Sequence, residues 1–213
     1  KHLISKLMIL IIDYGIGNLT SIANILKKAG AESKISNSEE DILKADKIIL
    51  PGVDSFEYGM DKLISLASFG TLENEVLHNK KPILGVCLGA QLLFKSSEEG
   101  NNPKGLGWID GTIQKFRDQE FSAGEKIPHM GWNWVEQAKE SKLLEGLEDQ
   151  SRFYFVHSYH MMVNDPQDTL LKTSYGYEFV SAVEKDNILG VQFHPEKSHK
   201  FGLKLYSNFV NNY

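Results

Sequence analysis

Residues 82–93 read PILGVCLGAQLL, a short apolar run that leads through a glycine-flanked turn into a second apolar run. An apolar strand followed directly by an apolar helix is typical of a parallel sheet covered by helices. The turn holds Cys87, the one cysteine of the chain. A tight turn here lifts the side chain clear of the sheet and points the first amides of the helix at the space before the sulfur. The segment predicts a nucleophile, and a buried structural cysteine is the alternative.

Two earlier segments repeat this pattern of an apolar strand that ends in a glycine-containing loop. The run at 7–12 leads into DYGIGN at 13–18, and the run at 46–50 leads into PGVDSF at 51–56. Because the carboxyl ends of parallel strands meet at one edge of a sheet, the three loops are expected to line one crevice. Helical spacing over 19–27 predicts the first connecting helix.

The second half of the chain has a different pattern. After a polar stretch at 96–104, several strand-like pieces are expected to add antiparallel strands to the sheet. These pieces are 112–116, 152–156, 169–173, 179–184 and 188–193. Helical spacing predicts a closing helix over 199–212. No low-complexity linker interrupts the pattern, so residues 7–213 are expected to form a single domain after an N-terminal extension at 1–6.

Composition excludes several classes of function. The chain has 213 residues, 41% of them hydrophobic, and a net charge of −5, so it offers no basic field for nucleic acid. The longest aliphatic run, at 7–12, is far shorter than the roughly 20 residues that a membrane span needs. One cysteine excludes an intramolecular disulfide framework and a cysteine-rich zinc site. A reducing, cytoplasmic location is expected.

A second motif, GVQFHPEKS at 190–198, offers a base for the cysteine. His194 directly follows an apolar strand, and Pro195 turns the chain so that Glu196 can fold back toward the imidazole. A carboxylate there would fix the tautomer of the ring and stabilise the imidazolium that forms when it takes the thiol proton. The alternative interpretation is a strand-end histidine beside an exposed glutamate.

Taken together, GVCLGAQ at 85–91 and the FHPE sequence at 193–196 resemble the class I, or triad-type, glutamine amidotransferases. The resemblance is closest to the HisH-type glutaminase subunits of imidazole glycerol phosphate synthase, and it covers nearly the whole chain from Leu7. The segments that carry this closer resemblance are DYGIGN at 13–18, PGV at 51–53, PHMGWN at 128–133, YFVHSY at 154–159 and QFHPEKS at 192–198.

The resemblance implies a flavodoxin-like α/β fold: an open, mostly parallel sheet with helices on both faces and an antiparallel extension. It also implies hydrolysis of glutamine to glutamate and ammonia by a triad of Cys87, His194 and Glu196. The ammonia would pass to a HisF-type (β/α)₈-barrel synthase partner in a heterodimer. That partner would make imidazole glycerol phosphate and AICAR in histidine biosynthesis. No cofactor and no metal are expected.

The resemblance further assigns roles to residues around the triad. The oxyanion hole would use backbone amides, glutamine would be held beside it, and a separate surface would contact the synthase. The residues are Gly52, Val53 and Leu88 for the oxyanion hole, Gln91, Glu99, His157, Ser158 and Tyr159 for glutamine, and Asn18, Trp132 and Lys197 for the partner. From the residues alone, Gln91 could equally be a surface amide, Glu99 a solvated acid and Trp132 a core side chain.

The sequence departs from the histidine-pathway pattern in two places. Asp54 stands where a glycine usually follows PGV. An aspartate makes a positive φ at this position more costly than a glycine does. Ala90 stands where methionine is usual. The stretches at 158–160 and 196–202 look closer to paralogues that supply ammonia to sugar amidotransferases in surface-polysaccharide synthesis. A different cysteine hydrolase, or a catalytically idle binding module of the same fold, are further alternatives.

Overall fold

The computed structural model describes residues 7–121, 124–148 and 150–213, so the expected extension at 1–6 lies outside it. The helices are α1 (Leu19–Lys28), α2 (Glu39–Lys44), α3 (Phe56–Ile64), α4 (Phe69–Leu77), α5 (Leu88–Leu92) and α6 (His199–Asn212). The strands are β1 (Met8–Ile12), β2 (Glu32–Ser36), β3 (Lys47–Leu50), β4 (Ile83–Val86), β5 (Phe94–Ser97), β6 (Ile109–Lys115), β7 (His129–Trp134), β8 (Glu136–Gln137), β9 (Arg152–His157), β10 (Tyr159–Val163), β11 (Thr169–Tyr175), β12 (Tyr177–Lys185) and β13 (Ile188–Val191).

The main sheet has the order β2-β1-β3-β4-β13-β12-β10-β6-β5. The strands from β2 to β13 run parallel, and β12, β10 and β6 continue the sheet with antiparallel pairs. β11 lies beside β12, and β7 and β9 form a separate two-stranded sheet. The α/β fold class, with a largely parallel sheet and an antiparallel extension, is therefore confirmed.

Two of the strand-like pieces differ from the expectation. The segment expected at 152–156 forms β9, which pairs antiparallel with β7 in the separate two-stranded sheet and not in the main sheet. The segment expected at 188–193 forms β13, which pairs antiparallel with β12, as expected, but also in parallel with β4. All four residues of β13 are buried, which is typical of a central strand covered on both faces. The parallel pairing of β13 with β4 puts the chain after β13 at the same sheet edge as the turn after β4.

Alternating residues of the central strands face two separate cores. Ile9 and Ile11 of β1 lie in one cluster with residues of α1 and α6, whereas Leu10 and Ile12 lie in the other with residues of α2, α3 and α4. Helices therefore cover both faces of the sheet. None of the helices in the described ranges is long and apolar enough to cross a bilayer.

The close packing of α5 on β3 makes a stability prediction. A Cβ on Gly89 would lie 1.9 Å from the carbonyl oxygen of Leu50 and 2.7 Å from its carbonyl carbon, and neither backbone atom can give way. Gly89→Ala is expected to destabilise the fold by about 3 kcal/mol or more, measured by urea denaturation. Gly70→Ala in α4 is the matched control, because a Cβ there meets nothing within 4 Å.

Since alanine is the better helix former, Gly70→Ala is expected to stabilise the protein by about 0.5–1 kcal/mol. A Gly89→Ala protein as stable as the wild type would contradict the close approach of α5 to β3.

Candidate active site

Cys87 occupies the turn between β4 and α5. Its backbone has φ 54° and ψ −114°, a left-handed conformation that costs a non-glycine residue about 1–3 kcal/mol. The amide of Cys87 donates to the carbonyl of Val191 at 2.8 Å, and its carbonyl accepts from the amides of Ala90 and Gln91. Cys87 is 7% exposed. The strained turn therefore presents the sulfur beside the first turn of α5.

His194 reaches this turn because β4 and β13 are neighbouring parallel strands. Val86 pairs with Val191 in register, and His194 follows shortly after the end of β13. The Ser198 hydroxyl donates to the His194 carbonyl at 2.6 Å and accepts from the Tyr154 amide at 3.0 Å. These bonds hold the turn that carries His194 against β9.

His194 and Glu196 form a buried pair. Nδ1 of the imidazole lies 2.8 Å from Oε1 of Glu196, and the two side chains are only 2% and 1% exposed. The alternative of an exposed glutamate is therefore wrong. Burial disfavours the charged ring, but Cys87 and Glu196 outweigh it and raise the pKa of His194 to about 10. In the described part of the chain, Nε2 of His194 has no hydrogen-bond partner.

The loop after β3 lies against the start of α5. A Cβ on Gly52 would fall 2.8 Å from the Gly89 amide nitrogen and 2.9 Å from Cβ of Leu88, so the loop backbone borders the nucleophile turn. Val53 is 45% exposed, whereas Leu88 is 2% exposed. The structure thus places Gly52 and Leu88 together, with Val53 at the open side of the same loop.

Tyr14 supports this loop and was missed as a site residue by the sequence analysis. Its buried hydroxyl donates to the carbonyl of Pro51, and a Cβ on Gly52 would lie 2.8 Å from that hydroxyl. Burial, with a smaller effect of Cys87, raises the pKa of Tyr14 far above its ordinary value, so the hydroxyl stays a donor. The sequence signal that could have identified this residue is the tyrosine in the DYGIGN segment.

Asp54 carries no backbone strain in this structure. Five non-glycine residues in the described ranges have positive φ, and Asp54 is not among them. Its carboxylate accepts from the amide of Ser55 at 2.7 Å. Ala90 is fully buried, and a Cβ on Gly190 would lie 3.0 Å from the Cβ of Ala90, so the small side chain fits the close contact of α5 with β13.

Gln91 is a buried amide, so its interpretation as a surface group is wrong. Its Nε2 donates to Oε1 of Gln192 at 2.9 Å and to the Tyr159 carbonyl at 3.3 Å. Nε2 of Gln192 in turn lies 3.9 Å from the sulfur of Cys87. Gln192 was not singled out from the sequence, although a polar residue at the end of an apolar strand could have marked it.

Glu99 is half-buried and contacts the start of α3. Its carboxylate accepts from the Phe56 amide at 2.8 Å.

The segment 157–159 lies beside Gln91. Nδ1 of His157 is 2.7 Å from the Tyr159 carbonyl, and Nε2 is 2.9 Å from Nδ1 of His129. The Ser158 carbonyl accepts from the Phe116 amide at 3.1 Å. Burial holds the pKa of His157 well below its ordinary value and lowers that of His129 to about 4. Residues 7–121, 124–148 and 150–213 contain no cluster of three or more acidic, histidine or cysteine side chains suited to a metal ion.

An exposed aromatic surface lies on the β7–β9 sheet. Trp132 is 41% exposed and pairs across the strands with Tyr154, so its interpretation as a core residue is wrong. The indole stacks on His199 with ring centroids 5.4 Å apart, and the ammonium of Lys197 lies 5.9 Å from the centroid of the Tyr154 ring. Trp132 and Lys197 thus share one surface. Asn18 lies half-buried directly before α1.

The family model described as glutamine amidotransferase class-I matches residues 10–212. The chain belongs to the class I glutamine amidotransferase family. The resemblance seen in the sequence is therefore confirmed for this family. Among curated relatives, the imidazole glycerol phosphate synthase subunit HisH 2 of Pseudomonas aeruginosa is 51% identical over 95% of this chain and 98% of its own length. The protein of the same name from Methanococcus maripaludis is 53% identical, with the same coverage.

Solved structures of other proteins share the fold of this chain. One, described as a crystal structure of glutamine amidotransferase, has a TM-score of 0.72 and covers 94% of this chain and 97% of its own, at 17% identity. The structure of PurLQS from Thermotoga maritima matches with a TM-score of 0.71 over 97% of this chain and 98% of its own, at 19% identity. At these identities the likeness shows the architecture alone.

Proposed function

We propose that this glutamine amidotransferase is the glutaminase subunit of an imidazole glycerol phosphate synthase. It hydrolyses glutamine to glutamate and ammonia and passes the ammonia to a HisF-type (β/α)₈-barrel partner in a heterodimer. That partner forms imidazole glycerol phosphate and AICAR in histidine biosynthesis. The relatives named as HisH subunits support this assignment. The observation that supports it is the register of β13 beside β4, which brings the turn at Cys87 and the buried pair of His194 and Glu196 to one edge of the sheet.

In the proposed reaction, Nε2 of His194 holds the proton that the Cys87 thiol has given up, and the thiolate attacks the side-chain amide carbon of glutamine. His194 then gives the proton to the departing nitrogen, so ammonia leaves and a thioester remains. The same imidazole removes a proton from a water molecule, which attacks the thioester. Glutamate leaves as the sulfur regains its proton. Glu196 stabilises the imidazolium in both steps.

The negative oxygen of each tetrahedral intermediate needs donors placed before the sulfur. The amide of Leu88, at the start of α5, is one donor, and an amide of the Gly52–Val53 segment is the other. The side chains of Gln91 and Glu99 and the backbone of 157–159 hold the glutamine beside them. The hydrogen bonds of Gln91 to Gln192 and Tyr159 support this assignment, because they fix the amide next to the nucleophile.

The synthase is proposed to dock on the aromatic surface of β7 and β9, with Asn18 at its border. Tryptophan, tyrosine and arginine are enriched in binding hot spots. Here Trp132 is accompanied by Trp134, 53% exposed, with the Arg152 guanidinium 5.5 Å from its ring centroid. Residues 7–213 are proposed to act as one domain, which the family match over 10–212 supports.

A second candidate acceptor is a sugar amidotransferase system of surface-polysaccharide synthesis. The stretches at 158–160 and 196–202 favour it, because they look closer to such paralogues. Two of the relatives carry the numeral 2 in their names, as expected where one organism holds more than one such subunit. The triad chemistry is the same in both cases, and only the acceptor on the partner differs.

The test measures ammonia release from glutamine with and without a HisF-type barrel and its phosphorylated substrate. Docking is expected to raise the rate about 5- to 150-fold, the usual range for coupled sites. Trp132→Ala is expected to lose the stimulation, whereas Ile64→Ala, an exposed apolar residue of α3, is expected to keep it. Stimulation only by a barrel from a polysaccharide system would favour the second acceptor. Turnover of γ-glutamyl peptides without any partner would overturn the proposal.

A further inference from the structure

A continuous chain of side-chain hydrogen bonds runs from β7 to the segment beside Gln91. Nδ2 of Asn133 lies 3.2 Å from Nε2 of His129, and Nδ1 of His129 lies 2.9 Å from Nε2 of His157. Nδ1 of His157 then lies 2.7 Å from the carbonyl oxygen of Tyr159. Neither His129 nor Asn133 received a role from the sequence or from the proposed reaction.

The backbone fixes the direction of this chain. The Trp134 amide donates to Oδ1 of Asn133 at 2.8 Å, and Nδ2 of Asn133 donates to the Ser174 carbonyl at 2.9 Å. The side-chain amide therefore has one orientation, with its second N–H pointing at His129. Nε2 of His129 must accept that bond, so its proton lies on Nδ1. Nε2 of His157 accepts from it, and Nδ1 of His157 donates to the Tyr159 carbonyl.

Burial keeps both rings neutral, which the directed chain requires. His129 is 2% exposed and His157 is 6% exposed, and burial lowers the pKa of each ring. A neutral imidazole has one donor and one acceptor, so the tautomer of one ring decides that of the next. The Tyr159 carbonyl, which can only accept, and the N–H of Asn133, which can only donate, thus fix the same proton positions on both histidines from opposite ends of the chain.

The two ends of the chain lie at functionally different places. The Tyr159 carbonyl also accepts from Gln91, whose partner Gln192 approaches the sulfur of Cys87. At the other end, His129 and Asn133 belong to β7, which exposes Trp132 to the solvent. The strand proposed to face the synthase therefore also holds the hydrogen bonds beside the nucleophile.

We propose that Asn133 and His129 are positioning residues that stabilise the Nδ1–H tautomer of His157. Through it they hold the Tyr159 carbonyl and Gln91 in place for glutamine, and they connect the partner-facing strand β7 to that site. The effect on activity rests on the proposed glutaminase function, whereas the proton positions are independent of it.

The test is Asn133→Asp, which keeps the shape of the side chain but replaces its N–H donors with a carboxylate oxygen. In the wild type, long-range ¹H–¹⁵N NMR spectra are expected to show both His129 and His157 as neutral Nδ1–H tautomers. In the variant, Nε2 of His129 is expected to carry a proton. The glutamine kcat/KM in the complex is expected to fall about tenfold, mainly through a higher KM. The rate of Cys87 alkylation by iodoacetamide is expected to stay unchanged.

Asn187→Asp is the matched control. Like Asn133, Asn187 uses both N–H groups of its side chain. Nδ2 donates to the backbone carbonyls of Val76 and Lys81 and not to a histidine. It is expected to lower the melting temperature without changing KM or the tautomers. An Nε2–H tautomer at either ring of the wild type, or an Asn133→Asp protein with unchanged tautomers and KM, would overturn the proposal. A wild-type complex that releases no ammonia would instead overturn the glutaminase function, while the NMR spectra would still decide the direction of the chain.

Discussion

Cys87→Ser is expected to reduce ammonia release from glutamine, measured with the synthase partner, by at least about 10⁴-fold. Serine keeps the shape of the side chain at the strained turn, but its hydroxyl ionises far less readily than a thiol. Against the effect of burial, the contacts with Cys87 and Glu196 raise the pKa of His194 to about 10, so the imidazole readily holds a proton that the nucleophile gives up. Without the thiolate, the proposed thioester cannot form, so the loss is expected in kcat rather than in KM.

The single cysteine makes this prediction easy to check by covalent labelling. A glutamine-analogue electrophile is expected to add once to the wild type, as measured by intact mass, and not at all to Cys87→Ser. Glutamine is expected to protect the wild type from the label. Retained ammonia release in the variant would exclude Cys87 as the nucleophile. Inertness of the wild-type thiol with every partner would favour the idle binding module.

The sequence was informative where the signal is local. The turn at Cys87 is marked by the apolar strand before it, the glycines around it and the apolar helix after it, all within 82–93. The motif at 190–198 is equally compact. That these two segments meet depends on β13 lying beside β4, and strand pairing between distant segments is not encoded in periodicity. The expectation for 188–193 therefore included an antiparallel pair, which β12 provides, but missed the parallel pair with β4.

The contacts around the triad were harder to predict. Gln192 matters through its bond to Gln91, which is 101 positions away in the chain, and His129 through its bond to His157, which is 28 positions away. Tyr14 matters through the Pro51 carbonyl on another loop. The helices α3 and α4 were not predicted. Only packing, which brings these groups together, reveals their roles.

Glu196→Gln is expected to lower kcat/KM for glutamine by about 10²–10⁴-fold, by analogy with the loss of the carboxylate from other nucleophile–histidine–acid triads. The amide is close in shape to the carboxylate, and its oxygen can still accept the bond from Nδ1 of His194. The negative charge that stabilises the imidazolium is lost, so the pKa of His194 is expected to fall. The buried position of both side chains, 2% and 1% exposed, leaves little solvent to compensate.

The raised pKa of His194 also predicts how the stability of the protein depends on pH. The pKa of His194 is raised from 6.5 to about 10 in the folded protein, so the folded state binds this proton more tightly than the unfolded chain. The resulting stabilisation is fully present below pH 6.5 and is lost as the pH rises through 10. In urea denaturation, the wild type is expected to exceed Glu196→Gln in stability most clearly near pH 6.5. The difference is expected to shrink toward pH 10.

Glu184→Gln separates this effect from the general loss of a buried carboxylate. Among the described residues, Glu184 has one carboxylate oxygen that accepts from Tyr213 at 2.7 Å and one buried oxygen without a hydrogen-bond partner, but it is not bonded to His194. Its substitution is expected to leave kcat/KM within about twofold of the wild type, as usual for changes away from the reacting groups. Equal activity of Glu196→Gln and Glu184→Gln would show that His194 works without its carboxylate, and the triad would reduce to a cysteine–histidine pair.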